Sequence, residues 1–280
     1  MCQDCGCLEV GAVTLEGVPL GSDHHSHAPL QEHDHGHGPE LRRLSLFHGQ
    51  GQLQEISIKQ RILSRNDHLA QHNRELLQKA QVFATNWISA PGSGKTRLIE
   101  RMLEDNRLGQ EIFVIEGDQE TSRDRDRIRA KGGQAVQINT GSACHLDAHM
   151  VHEALHQLPL KPKSFLVIEN VGNMVCPTAF DLGEAFKVAV ISCTEGEDKP
   201  LKYPDLITNA KVLLINKIDL LPHLDFDLEA CGSFAKRINP AITVFAVSAK
   251  TGEGMEAFYA WVLSAKGAET SETKAVIQER

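Results

Sequence analysis

Apolar positions along this chain change their period several times, and each change marks an element. Residues 1 to 52 carry little periodic apolar signal. Gly, His, Asp, Ser and Pro dominate there, so the stretch cannot build a core and reads as a flexible tail. Between 53 and 81, Ile58, Ile62, Leu63, Leu69, Leu76 and Leu77 recur at mostly helical spacing, with Gln, Arg and Lys opposite. This predicts an amphipathic helix that docks on the rest of the chain or on a partner. From 82 to 267, short apolar runs alternate with longer amphipathic ones. The runs predict strands at 82–88, 112–116, 135–138, 165–169, 187–193, 211–215 and 242–247, and helices near 95–105, 121–131, 147–157, 226–238 and 254–265. Such alternation predicts an α/β fold, a doubly wound and mostly parallel sheet with helices on both faces. Ligands of such sheets sit beyond the carboxyl ends of the strands. The polar stretch 268–280 reads as a frayed C-terminal tail.

The residues at those strand ends carry chemistry. The strand at 82–88 runs into Ser89-Ala90-Pro91-Gly92-Ser93-Gly94-Lys95-Thr96, followed by Arg97 and a helical pattern. Strand, Gly-rich turn and helix is the context of a phosphate loop, with Ser89 in place of its usual first glycine. Gly92, Ser93 and Gly94 bring backbone N–H groups to the phosphates. Lys95 reaches the β- and γ-phosphates, and the Thr96 hydroxyl ligates Mg²⁺. The strand at 211–215 ends in Asn216-Lys217-Ile218-Asp219. In this pattern the Asp accepts hydrogen bonds from guanine N1–H and its exocyclic amine. Adenine offers the opposite donor pattern and leaves a buried acid unpaired. Ser248-Ala249-Lys250, after the strand at 242–247, resembles the second guanine-contacting loop of GTPases. Glu169, at the end of the strand at 165–169, reads as the acid that serves Mg²⁺, and Gly172 as the γ-phosphate sensor.

Metal-binding residues occur in two places. Cys2, Cys5 and Cys7 precede His24, His25, His27, His33, His35 and His37. Thiolates and imidazoles without a core around them are ligands for nickel, zinc, copper or cobalt. Within the α/β region, Cys144 and His145 are adjacent, and Cys176 follows the Gly172 turn. Spacing leaves two readings open: a metal site whose geometry follows the nucleotide, or one core thiol and one surface histidine. Cys193 and Cys231 fall in apolar patterns and read as inert core thiols. The net charge of −8 and the lack of a basic stripe argue against a nucleic-acid partner. No apolar run approaches the roughly 20 residues that span a membrane, and no signal-peptide region is evident. The odd count of seven cysteines then points to a reducing cytoplasm.

Taken together, the motifs resemble the hydrogenase nickel-incorporation GTPases, the HypB family, along almost the full chain. The resemblance is carried by Cys2, Cys5 and Cys7 with the His-rich insert, by Asn66-Asp67-His68-Leu69-Ala70-Gln71-His72-Asn73-Arg74, and by the phosphate loop. Glu116-Gly117-Asp118, the Asp118/Thr121/Asp124/Arg127 pattern, the segments around Cys144 and Cys176, NKID and SAKTGEG complete it. The resemblance implies a dimerising P-loop GTPase of the signal-recognition-particle class that delivers nickel to [NiFe]-hydrogenase. It implies a tail nickel site at Cys2, Cys5 and Cys7, a second site for Ni²⁺ or Zn²⁺ at Cys144, His145 and Cys176, and Asp118 as the Mg²⁺-linked switch acid. Expected partners are a second copy of the chain, a HypA-type nickel chaperone and the hydrogenase large-subunit precursor. GTP hydrolysis to GDP is expected to be slow, because no arginine finger or water-positioning Gln is evident. Two rivals stand beside this reading. A UreG-type urease GTPase keeps its metal motif as Cys-Pro-His on one loop, unlike the separated Cys144-His145 and Cys176. A nickel storage protein with a vestigial GTPase is at odds with intact Lys95, Thr96, Asn216 and Asp219.

Overall fold

The computed structural model describes residues 13–20, 49–119 and 123–278. The tail ligands Cys2, Cys5, Cys7, His24, His25, His27, His33, His35 and His37 lie outside them, as does Thr121. Two short strands, β1 (Thr14–Leu15) and β2 (Val18–Pro19), form a hairpin at Glu16 and Gly17, both of positive φ. Helix α1 spans Gly49–Lys79. Then follow β3 (Phe83–Ser89), α2 (Lys95–Asp105), β4 (Ile112–Asp118), α3 (Arg123–Ala130), β5 (Gln134–Asn139), α4 (Ala148–Gln157) and β6 (Phe165–Glu169). The chain ends with β7 (Phe186–Ser192), α5 (Lys199–Lys202), α6 (Pro204–Asn209), β8 (Ala210–Asn216), α7 (Leu228–Ile238), β9 (Thr243–Ala246) and α8 (Met255–Gln278).

The described residues build one nine-stranded sheet in the order β2-β1-β5-β4-β6-β3-β7-β8-β9. Every pairing from β5 to β9 is parallel. Strands buried on both faces need continuous apolar runs, and β3 and β6 are buried at every position. One apolar layer joins Leu98, Ile99 and Met102 of α2 to Phe258 and Val262 of α8 across Trp87 and Val167. The opposite layer holds Leu77 of α1 with Val151 and Leu155 of α4 against Phe113 and Leu166. The phosphate-loop strand β3 therefore lies mid-sheet, with its carboxyl end beside those of β6, β7 and β8.

Three expectations shift. Residues 13–20, inside the stretch read as tail, add two strands to the sheet edge: β1 pairs antiparallel with β5, Thr14 opposite Asn139. Strands this short carry no readable alternation, so only their pairing reveals them. Helix α8 continues through the stretch read as a frayed end. On α1, Ile62 is exposed despite its place in the apolar pattern, while Asn66 and Asn73 are buried. The docking face of α1 is held by amides as well as by apolar residues. Asn66 accepts from the Ala148 N–H (2.9 Å) and donates to the Asp181 carbonyl (2.8 Å). Asn73 donates to the carbonyls of Ala148 (2.8 Å) and Leu182 (3.1 Å). Arg74 grips the Asp181 carboxylate with both oxygens, at 2.9 and 2.7 Å. Two amides on one helix thus clasp the first residue of α4, directly after the Cys144-His145 loop.

Candidate functional site

Lys95 and Thr96 open α2, and the turn before them is set by Gly92 and Gly94, whose φ of 76° and 97° exclude most side chains. Gly94 is doubly constrained, since a Cβ there would stand 2.6 Å from Asn216 Nδ2. The Lys95 ammonium donates to Ser89 Oγ (2.8 Å), and Ser93 Oγ donates to the same oxygen (2.6 Å). Ser89 therefore does more than replace a glycine: its hydroxyl accepts from both Lys95 and Ser93. The Thr96 hydroxyl lies against Glu169 Oε1 (2.8 Å) and Asp124 Oδ2 (3.1 Å). Asp118 accepts from the Gln119 N–H at 2.7 Å. Arg97, next after Thr96, bridges Glu100 and Glu104 on its own helix with its side chain, both at 3.1 Å. That i,i+3 and i,i+7 spacing turns its side chain along the helix surface.

Glu116 and Glu169 sit opposite each other on β4 and β6. Both are buried, and each keeps an oxygen, Oε2, with no hydrogen-bond partner. Orphaned carboxylate oxygens beside a threonine hydroxyl at a phosphate loop are hard donors suited to Mg²⁺. Burial, with the charges of Glu169, Asp118 and Asp124, pushes the Glu116 carboxyl up to about 9. Burial likewise raises Glu169 to about 7, against the pull of Lys95. Lys95 is held below its ordinary value by burial. Between the ordinary 4.5 and these raised values the folded chain holds protons that the unfolded chain has released. Stability must then fall as pH rises through that window. Nucleotide-free protein is expected to melt lower at about pH 8 than at about pH 6. Glu116→Gln, neutral at every pH, should flatten the dependence; a thermal melt series that stays equally steep in this variant rules out Glu116 as its origin.

The NKID loop is braced from behind. Asn216 donates to the Ser93 carbonyl (2.9 Å) and accepts from the Ala249 N–H (3.1 Å), tying phosphate loop, NKID and SAK together. Lys217, at φ 66°, donates to the Gly92 carbonyl at 2.7 Å. Ser248 Oγ donates to Asp219 Oδ1 at 2.6 Å, and the exposed Lys250 ammonium stands 4.0 Å from the other oxygen. Cys193, read as an inert core thiol, is buried and donates to the Lys217 carbonyl at 2.9 Å. It is a support under the base loop, which its apolar sequence context does not reveal.

The Cys144/His145 pair and Cys176 converge. Their ligand atoms lie within 4.8 Å of one another, and no other group of three such side chains does so among the described residues. The open choice left by spacing thus resolves toward a cluster. Cys144 Sγ is 3.8 Å from His145 Nδ1, and the imidazole stacks on Phe180 with ring centres 4.1 Å apart. Burial lowers the His145 pKa against the pull of Asp147, which favours the neutral imidazole a metal needs. Two thiols and an imidazole form a borderline-soft donor set that fits Ni²⁺ or Zn²⁺. Asn170 links this cluster to the nucleotide side: its Oδ1 accepts from the N–H of Val171 (3.0 Å) and of Leu146 (3.1 Å). Gly172 packs on the phosphate loop, where a Cβ would meet Pro91 atoms at 3.0–3.1 Å.

Comparison with known proteins identifies the family. Residues 84–246 match the family described as CobW/HypB/UreG, nucleotide-binding domain. The hydrogenase maturation factor HypB of Rhizobium leguminosarum bv. viciae is 56% identical over 214 residues, covering 76% of this chain and 72% of its own. The factor of the same name from Escherichia coli strain K12 is 40% identical over 292 residues, covering 94% and 98%. The chain belongs to the HypB family. Among solved structures, HypB from Helicobacter pylori in complex with nickel is 38% identical, with a TM-score of 0.70 over 73% of this chain and 96% of that one. HypB from Archaeoglobus fulgidus is 39% identical, with a TM-score of 0.68 over 73% of this chain and all of that one. The fold is accordingly that of a P-loop GTPase of the HypB family. No helix among the described residues is long and apolar enough to cross a membrane.

Proposed function

We propose that this chain is a GTP-hydrolysing nickel metallochaperone that gates nickel insertion during [NiFe]-hydrogenase maturation. One observation carries the reading: the turn after β6 touches both sites. Glu169 reaches Thr96 at one end of that turn, and Asn170 holds Leu146, next to His145, while Cys176 follows at the other end. A rearrangement at the γ-phosphate is passed to both halves of the thiolate/imidazole cluster through a few residues of backbone.

In this mechanism the phosphate-loop N–H groups and Lys95 hold the phosphates, and Asp219, Asn216, Lys217, Ser248, Ala249 and Lys250 select and enclose guanine. Mg²⁺, when bound through Thr96 with Glu169, Asp124 or Asp118, neutralises phosphate charge. On leaving Ser89 for the phosphates, the Lys95 ammonium frees the Ser89 hydroxyl. Relaxation of the Gly172 turn after hydrolysis then changes the spacing of Cys144, His145 and Cys176. Nickel is the cargo, with zinc competing for the same donors. The cluster lies beside Val175, which is 64% exposed and apolar. That suits closure of two copies against each other in the GTP state. A HypA-type nickel chaperone and the hydrogenase large-subunit precursor are the proposed donor or acceptor, in the cytoplasm. The Cys2/Cys5/Cys7 group is proposed to hold one ion tightly and the six tail histidines to store further ions weakly.

Lys95→Ala tests the division between the two activities. Phosphate release from GTP is expected to fall to background, while nickel bound per chain in the absence of nucleotide stays the same. Hydrolysis that persists in Lys95→Ala removes the phosphate-loop assignment. A parallel loss of nickel would mean that the sites are not separate.

A further inference from the structure

A second group of metal-ligating side chains lies outside everything described above, on the seam between α1 and α4. His152 and His156 occupy successive turns of α4, so both rings leave one face of the helix. Their Nε2 atoms are 3.2 Å apart, with ring centres at 4.7 Å and planes at 84°. His72 of α1 packs on His152, with ring centres at 5.0 Å. His72 and His156 are exposed and His152 is partly buried, so an ion can enter from solvent.

The hydrogen bonds settle which nitrogen of His152 is free. Asn73 uses its amide N–H groups on the carbonyls of Ala148 and Leu182, so the atom facing His152 is its oxygen, Oδ1. His152 Nδ1 lies 2.9 Å from that oxygen and must donate to it. The neutral ring then carries its lone pair on Nε2, aimed at His156. A metal-ligating histidine shows this same arrangement, its second nitrogen donating to a fixed acceptor. The separation of the two Nε2 atoms also fits. With metal–nitrogen bonds of about 2.05 Å, two imidazoles stand roughly 3.3 Å apart in tetrahedral geometry and roughly 2.9 Å apart at adjacent octahedral positions. The observed 3.2 Å lies between these limits without any movement of the helix. In the metal-free chain His156 donates its Nε2–H to His152. Binding requires only that this proton pass to His156 Nδ1 through solvent, with no net charge change on the ring.

We propose that His152 and His156 bind one late first-row divalent cation, of the Ni²⁺, Zn²⁺ or Cu²⁺ type, with solvent completing its shell. The site is separate from the Cys144/His145/Cys176 cluster and stands on the helix that follows the Cys144-His145 loop. It stands independently of the GTP-linked reading.

The test uses the full chain. Zn²⁺ is added to protein labelled with ¹⁵N in histidine, and the His152 Nε2 resonance is followed, while equilibrium dialysis counts zinc per chain. The expected result is a zinc-induced shift of His152 Nε2 that survives Cys176→Ala, and one ion fewer per chain in His156→Ala. His156 is exposed, so its removal leaves the fold intact. An unchanged ion count in His156→Ala overturns the proposal. So does a His152 resonance that stays in place while the other sites fill.

Discussion

Replacing Asp219 by Asn is expected to exchange guanine preference for xanthine preference. Guanine presents two donors, N1–H and the 2-amino group, to an acceptor-only carboxylate. The Ser248 hydroxyl, 2.6 Å from Oδ1, fixes that carboxylate in orientation. An amide at the same place offers one acceptor and one donor. It opposes a guanine N–H and matches the carbonyl that xanthine carries at the same ring position. Hydrogen bonds to a charged partner contribute about 1.5–3 kcal/mol each. Losing one of them and making the other to a neutral amide, worth about 0.5–1.5 kcal/mol, weakens GTP by roughly two to three orders of magnitude, at ~1.4 kcal/mol per tenfold change. Xanthosine triphosphate is expected to bind the variant better than GTP does, and ATP to bind neither protein. Competition against a fluorescent guanine nucleotide reads all three. Wild-type GTP affinity in Asp219→Asn would place the base elsewhere than NKID.

The nucleotide half of the site was legible because its chemistry is local. A phosphate loop needs a few adjacent residues between a strand and a helix, so its order survives without knowledge of the fold. The same holds for NKID after β8 and SAK after β9, both at the carboxyl ends where the parallel sheet places ligands. The metal half was legible as residue types but not as a place, because Cys144, His145 and Cys176 are joined only through tertiary structure. Three features were out of reach for the same reason. The amides of Asn66 and Asn73 stand three or four residues from the apolar positions of α1, but only the fold shows that α4 offers its first N–H and C=O to them. The burial of Glu116 follows from its register opposite Glu169, a pairing across strands distant in sequence. Arg97 reads as part of the loop but answers to Glu100 and Glu104, which lie one and two turns further along α2.

Cys176→Ala is expected to uncouple metal from nucleotide while leaving both halves folded. Glu169 stands on Thr96, Gly172 packs on Pro91, and Cys176 lies a few residues on, after Val175, whose N–H is held by Asn173 Oδ1 at 2.8 Å. Only Asn173, Met174 and Val175 separate that turn from Cys176. Asn170 pins Leu146 to the same turn, so the Cys144-His145 side follows as well. If the γ-phosphate changes metal affinity through this linkage, metal must change GTP affinity by the same factor. The expected coupling is about 1–3 kcal/mol, or roughly 5- to 150-fold in affinity. It is measured in a chain with Cys2, Cys5 and Cys7 replaced by Ser, comparing nickel and zinc affinity in the GDP form and with a non-hydrolysable GTP analogue. Adding Cys176→Ala should bring the two affinities together, because the ligand that moves with the turn is gone. GTP affinity in metal-free protein should stay as it was, since the phosphate loop and NKID are braced by Ser89, Asn216 and Lys217. Equal metal affinities in both nucleotide forms, before Cys176 is touched, would leave a GTPase and a metal cluster that share a turn without exchanging free energy through it.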